Sequence, residues 1–425
     1  MTLKSERINI GNGINLNLIK TNKFKSNLLS YYFIRPLSKD EVTKNALLPL
    51  VLRRGTEELD NNLKIQKKLE EMYGADLSIS VNKRGERQVL RFTIESASGD
   101  YVKDSKYIYE VIDLLKSIIY NPTLEAGYFK KDYVEQEKEN LRRRIEGRIN
   151  DKRNYAIERC IEEMCKNEKF SIYPFGYIKD LDEINEDVLY NHYKHILSNS
   201  PIEIFYAGEY DNNLVDYIKN VNKIERENIL NVLREPIISG VQTKNMIHED
   251  MDISQGKLVL GYRTGIPYED RLYNALIVAS DILGGGPNSK LFRNVREKES
   301  LAYYITSSIY KYKSIMLIDA GIEFENFEKT IDIVRLQLEE MKKGVFTDED
   351  IEISKKSIKT STESIKDSLF LISEFFFSQS LTNDNRSLEE MLDDLDRVTK
   401  DEIVEATNQI ILDTIYFIRN TSVKE

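Results

Sequence analysis

The chain has 425 residues, 41% hydrophobic and 31% charged, which is enough for more than one packed core and too long for one ordinary domain. A net charge of -10 and a pI near 5.3 argue against a phosphate-binding surface as the main role, since nucleic-acid affinity is carried by clustered Lys and Arg. The basic run Arg142-Arg143-Arg144 reads as a solvated helix face. Cys160 and Cys165 sit five apart in a stretch of helical spacing, so they make neither a zinc ribbon nor a secreted disulfide framework. The N-terminus, Met1 to Arg7, has no apolar core behind it, and the run Leu47 to Leu52 is far short of a membrane span. These features predict a soluble, cytoplasmic protein without an export signal, with neither nucleic acid nor membrane as partner.

In chain order, Ile14–Ile19 and Leu28–Ile34 read as strands that lead into an apolar segment at Ala46. Leu63 to Met72 is amphipathic and is closed by Gly74, a helix stop. Leu77–Val81 and Gln88–Ile94 then alternate on either side of Lys83-Arg84-Gly85-Glu86, the pattern of a hairpin. A helix over Tyr107–Tyr120 follows, broken by Asn121-Pro122. Beyond it a long charged helical region is expected from about Glu125 through the 160s. Ile202 to Tyr206 is an apolar strand.

The second half repeats this order. Lys290–Glu299 is charged and amphipathic, Leu301–Ile309 and Ser314–Ile322 alternate around Lys311-Tyr312-Lys313, and a helix carries Ile331-Asp332. That pair matches Ile112-Asp113, 219 positions earlier, and Asp350-Ile351-Glu352 is placed like Tyr133-Val134-Glu135. Two copies of one α+β unit account for the length and the order. The expected domains are 1–228 and 229–425, each a mostly antiparallel sheet packed against helices, joined across the polar stretch near Asn220 to Asn245.

The segment from Gly284 to Tyr303 carries the most specific chemistry. Arg296 and Tyr303 are seven apart, two helical turns if the helix persists, which places a guanidinium fork and a phenol on one side of the element. A guanidinium can hold backbone carbonyls, and a phenol can donate to the oxyanion of a peptide under attack. Gly284-Gly285-Gly286 lacks the G-x-x-x-x-G-K-[ST] pattern of a phosphate loop, so a hinge or a close-approach turn is expected. The chain has three histidines. His192 and His195, at i and i+3, are read as partly exposed helix residues and not as metal ligands, because no third His or Cys lies near. His248 stands alone, and no G-x-S-x-G elbow is present. In the apolar segment at Ala46, Asn45 is a candidate N-cap that would leave Pro49 in the first turn, with Leu47, Leu48, Leu50, Val51 and Leu52 as core.

Taken together, these segments resemble the insulinase-like (pitrilysin, M16) metallopeptidase family. Its C-terminal halves carry a glycine run and then S-x-L-F-x-x-x-R-E-K-x-x-L-A-Y, the order found from Gly284 to Tyr303. Its N-terminal halves carry H-x-x-E-H, two zinc ligands and a general base, where this chain reads Ala46-Leu47-Leu48-Pro49-Leu50 ahead of Arg53-Arg54-Gly55-Thr56. Ala46, Pro49 and Leu50 can do none of that chemistry. Where the distal carboxylate ligand is due stands Arg142-Arg143-Arg144, and Glu146 alone does not make a zinc site. The resemblance therefore implies half of an M16 clamshell with no catalytic residue, no metal and no cofactor of its own. It further implies a zinc-bearing M16 paralogue as partner, or a second copy of this chain, with zinc only in the partner subunit. Arg296 and Tyr303 would serve a peptide substrate in trans, in a process linked to modification of elongation factor P. The alternative is a structural or peptide-binding protein of the same fold with no role in proteolysis.

Overall fold

The computed structural model describes residues 3–104, 106–241 and 243–420. Met1 and Thr2 of the N-terminal segment, and Gln242 of the polar stretch, lie outside them. The chain forms two compact units, the first made of Met1–Gly147, Ile172–Arg234 and Ile365–Asn383, the second of Arg148–Ser171, Glu235–Ser364 and Asp384–Glu425.

The first unit holds a sheet of six strands: β1 Glu6–Gly11, β2 Ile14–Lys20, β3 Ser26–Pro36, β4 Asp76–Arg84, β5 Arg87–Ala97 and β6 Ile202–Gly208. Their spatial order is β1-β2-β6-β3-β5-β4, with β2 and β6 parallel and the other pairs antiparallel. The second unit holds β7 Asn245–Met251, β8 Gly256–Arg263, β9 Ala302–Tyr310, β10 Ile315–Ile322 and β11 Ile411–Asn420. Here the order is β9-β10-β8-β11-β7, and β7 and β11 are the parallel pair. Apart from β1, the two sheets share one strand order and one pattern of directions. The matched pairs of the sequence fall on matched helices: Ile112 and Ile331 on Tyr107–Tyr120 and Phe327–Lys342, Val134 and Ile351 on Lys131–Glu146 and Asp348–Glu363.

Both sheets are buried on both faces, which is why their central strands read as continuous apolar runs. In β3, Leu29, Tyr31 and Phe33 enter the large core beside the helices Val42–Leu52 and Tyr107–Tyr120. The alternate residues Leu28, Tyr32 and Ile34 enter a second cluster, where they meet Leu369, Ile372 and Phe377 of the helix Leu369–Thr382. The same two-residue period splits β10: Met316, Ile318 and Ala320 face one cluster, while Ile315 and Leu317 face Ala156, Cys160 and Met164 of the helix Lys152–Met164. The second face of each sheet is thus covered by a helix from the other half of the sequence. A division at 228/229 assigns both covering helices to the wrong unit, because periodicity shows that a helix has an apolar stripe but not which sheet the stripe will meet.

The expected continuous helix from Glu125 into the 160s is also interrupted. Short strands pair Leu124 with Phe129, the helix Lys131–Glu146 runs into a 3-10 turn Gly147–Asn150, and Asp151 caps a new helix by accepting from the Asn154 amide. The chain passes from the first unit to the second inside that break.

Candidate functional site

The helix Val42–Leu52 carries Ala46, Pro49 and Leu50, the positions that the resemblance assigns to the zinc motif. It begins at Glu41, after the Val42 amide has bonded the Ser38 carbonyl at 2.9 Å, and continues without interruption past Pro49. The expected start at Asn45 is therefore wrong, and Pro49 lies in the helix interior. Tertiary contacts explain the difference. The Asn45 side chain is fully buried and does not cap; its Nδ2 donates to Gln88 Oε1 at 2.8 Å, and its Oδ1 lies 2.7 Å from His192 Nε2. Gln88 in turn donates to the carbonyls of Val42 and Pro174. Ala46, Leu47, Leu48, Val51 and Leu52 belong to the main core, and Leu50 packs against it. Ala46, Pro49 and Leu50 offer no donor atom, so a zinc ion does not fit this element. Among the described residues no three His, Cys, Asp or Glu side chains gather as a metal site.

The three arginines of the neighbouring helix Lys131–Glu146 have their own partners. Arg142 pairs with Asp182 at 2.9 Å, Arg143 donates to Asn140 at 2.6 Å, and the Arg144 guanidinium lies 3.7 Å from the centroid of the Phe175 ring. Cys160 and Cys165 are both buried thiols, and burial pushes the Cys160 thiol far above its ordinary value.

His195 is half-exposed, beside Asn199. His192, expected to be partly exposed, is instead buried, because it faces the helix Val42–Leu52 across the Asn45 hydrogen bond. Burial, with nearby Lys44 and Arg35, pushes its pKa from 6.5 down to about 3. Between those values an unfolded chain takes up a proton that the folded chain refuses, so this group lowers stability as pH falls below about 6.5 and costs nothing above it. From pH 7 to pH 4.5 the wild type is expected to lose on the order of 2 kcal/mol more unfolding free energy than His192→Gln. Urea titrations of both proteins at the two pH values check this.

Arg296 and Tyr303 do not share a helix. Arg296 lies on the π-helical turn Phe292–Lys298, exposed, with its guanidinium 4.6 Å from the Phe292 ring centroid. The helix then ends, Ser300 takes a φ of +54°, and the Leu301 amide returns to the Val295 carbonyl at 2.9 Å. Tyr303 stands at the start of β9, where Ala302 opposes Ile322 and Tyr304 opposes Gly321. Two residues on β9 therefore span one step on β10, and Tyr303 is the extra residue of a β-bulge, turned out to 58% exposure. Gly321 makes room beneath Tyr304, since a Cβ there would stand 2.4 Å from Tyr304 Cε1. The exposed Tyr303 hydroxyl donates to the Glu323 carboxylate, and that hydrogen bond raises its pKa. Neither the bulge nor Glu323 was found from the sequence; the available signal was Tyr303-Tyr304 standing together where alternation calls for one outward residue.

The glycine run is a close-approach turn. A Cβ on Gly284 would stand 2.7 Å from the Ser307 amide nitrogen, and one on Gly285 2.1 Å from Asp281 Oδ2. Gly286 meets nothing within 4 Å.

Residues 183–358 match the family model described as the peptidase M16 inactive domain. The probable inactive metalloprotease YmfF of Bacillus subtilis is 37% identical over 411 residues, covering 96% of each chain. The chain belongs to the M16 peptidase family. A crystal structure of a conserved protein from Enterococcus faecalis superposes with a TM-score of 0.91 at 30% identity, covering 99% of this chain and 100% of that one. A zinc protease of unassigned role in B. subtilis, YmxG, is 26% identical over 155 residues, 36% of this chain and 38% of that one. This M16 chain is an inactive metalloprotease homologue.

Proposed function

We propose that this M16 homologue is the non-catalytic subunit of a cytoplasmic peptidase whose zinc lies in a paralogous partner. It supplies Arg296 and Tyr303 in trans, the guanidinium to hold peptide carbonyls and the phenol to donate to the tetrahedral oxyanion. The observation that carries this reading is a contrast in burial. The positions that would bind metal are packed into a core, whereas Arg296 and Tyr303 are exposed. For the phenol to reach a substrate it must leave Glu323, so Glu323 sets how available the donor is. By resemblance we place the activity in modification of elongation factor P; deleting the gene should then alter the mass of that factor.

The test is peptide hydrolysis by the mixed subunits. Arg296→Ala and Tyr303→Phe in this chain are expected to lower kcat/KM by about 10- to 1000-fold, the range for loss of one transition-state donor. Hydrolysis indifferent to both substitutions refutes the in-trans role.

The second reading, a structural or peptide-binding M16 protein without proteolysis, draws on the Tyr303–Glu323 bond, which occupies the donor. Glu323→Gln separates the two: the in-trans reading expects changed turnover, the structural reading none.

A further inference from the structure

A cavity of about 750 Å³ opens in the first unit, between the start of β3, the end of β5 and the start of the helix Asn212–Val221. Its size is that of a small-molecule site. Two of its lining residues, Asn27 and Ser98, are only 6% and 7% exposed. Asn27 lies against bare backbone: a Cβ on Gly208 would stand 2.0 Å from Asn27 Oδ1. Ser98 occupies the N-cap position of the short helix Gly99–Val102 yet makes no side-chain cap bond. Neither side chain has a hydrogen-bond partner among the described residues. Their polar atoms are not sealed from solvent, so both side chains, though little exposed, face the cavity.

The rest of the lining narrows the ligand. Tyr109 and Tyr210 present aromatic rings, the latter with Lys20 Nζ 5.4 Å from its centroid. Lys103 and Lys106 bring exposed ammonium groups, and Glu209 and Asp211 bring carboxylates. Charges of both signs therefore line a cavity that also holds an unpaired amide. A carboxamide carries a donor and an acceptor in one plane, as a peptide unit does. We infer that this cavity binds a short zwitterionic peptide: Asn27 and Ser98 pair with a peptide bond, the lysines receive the carboxylate, Glu209 and Asp211 receive the ammonium, and the tyrosine rings flank the side chains. This site requires no zinc-bearing partner and is independent of the in-trans role.

Isothermal titration of the full chain with trialanine, and with its N-acetylated, C-amidated form, tests the inference. Trialanine should saturate one site, and the capped form should bind about tenfold more weakly. Asn27→Ala should weaken trialanine about tenfold. Lys106→Ala and Tyr210→Ala, outside the core, should each weaken it severalfold, and they keep the test valid if Asn27→Ala fails to fold. No saturable binding, equal binding of the capped form, or binding unmoved by both Lys106→Ala and Tyr210→Ala overturns the proposal.

Discussion

Phe377→Ala is expected to lower the unfolding free energy by about 3–5 kcal/mol, the range for removing a fully buried phenylalanine. Phe377 is 1% exposed and stacks on Tyr32 with ring centroids 4.0 Å apart and planes 18° from parallel. Its ring also meets Phe205 of β6 edge-on. The loss therefore falls on strands more than 150 residues away in sequence. The helix that carries Phe377 is fixed by a second device, since Glu374 accepts from Tyr32 at 2.9 Å and pairs with Arg84 at 2.6 Å and Arg91 at 3.2 Å. Urea unfolding gives the magnitude, and hydrogen exchange along Ser26–Pro36 locates it. Phe375→Ala, on the half-exposed side of the same helix, should cost less than half as much. Equal costs for the two would mean that the helix is not held through this stack.

Glu168→Ala should destabilise the second unit by about 3–5 kcal/mol, because it leaves buried cations with less counter-charge. Glu168 pairs with Arg263 and with fully buried Lys313, each at 2.6 Å, while Arg263 also reaches Asp413 at 2.9 Å and the Met164 carbonyl at 2.8 Å. Burial alone would raise the Glu168 pKa, yet the hydrogen bonds from the two cations hold it below the ordinary carboxylate range. Its stabilisation is therefore present above about pH 4.5 and is lost as pH falls through the lowered value. Glu168 follows the helix Lys152–Met164, so the network fastens that helix to its sheet. Arg143→Ala, on an exposed helix face, should stay within about 0.5 kcal/mol. Denaturant titration of the three proteins at pH 7 checks both values.

The strands, the hairpins and the duplication were legible because each is written in local periodicity. Ile14–Ile19 and Leu77–Val81 announce their faces residue by residue, and Gly74, with φ +74°, marks its helix stop. The exchanged helices were not legible, since Cys160 and Phe377 are apolar wherever they pack and only the fold decides against what. The start of the first helix was misread for a related reason. Asn45 has the chemistry of a cap, but Gln88 and His192, distant in sequence, claim its amide. At the site, the resemblance supplied Arg296 and Tyr303, whereas helical spacing placed them wrongly. A β-bulge, set by the register of β9 on β10, decides where Tyr303 points.

The division of labour proposed for this M16 chain is tested most directly by kcat/KM for peptide hydrolysis, measured for the zinc-bearing paralogue alone, for this chain alone and for the two mixed. The account predicts no hydrolysis by this chain, little by the paralogue alone and at least tenfold more by the mixture. A paralogue fully active by itself and unchanged by this chain would contradict it.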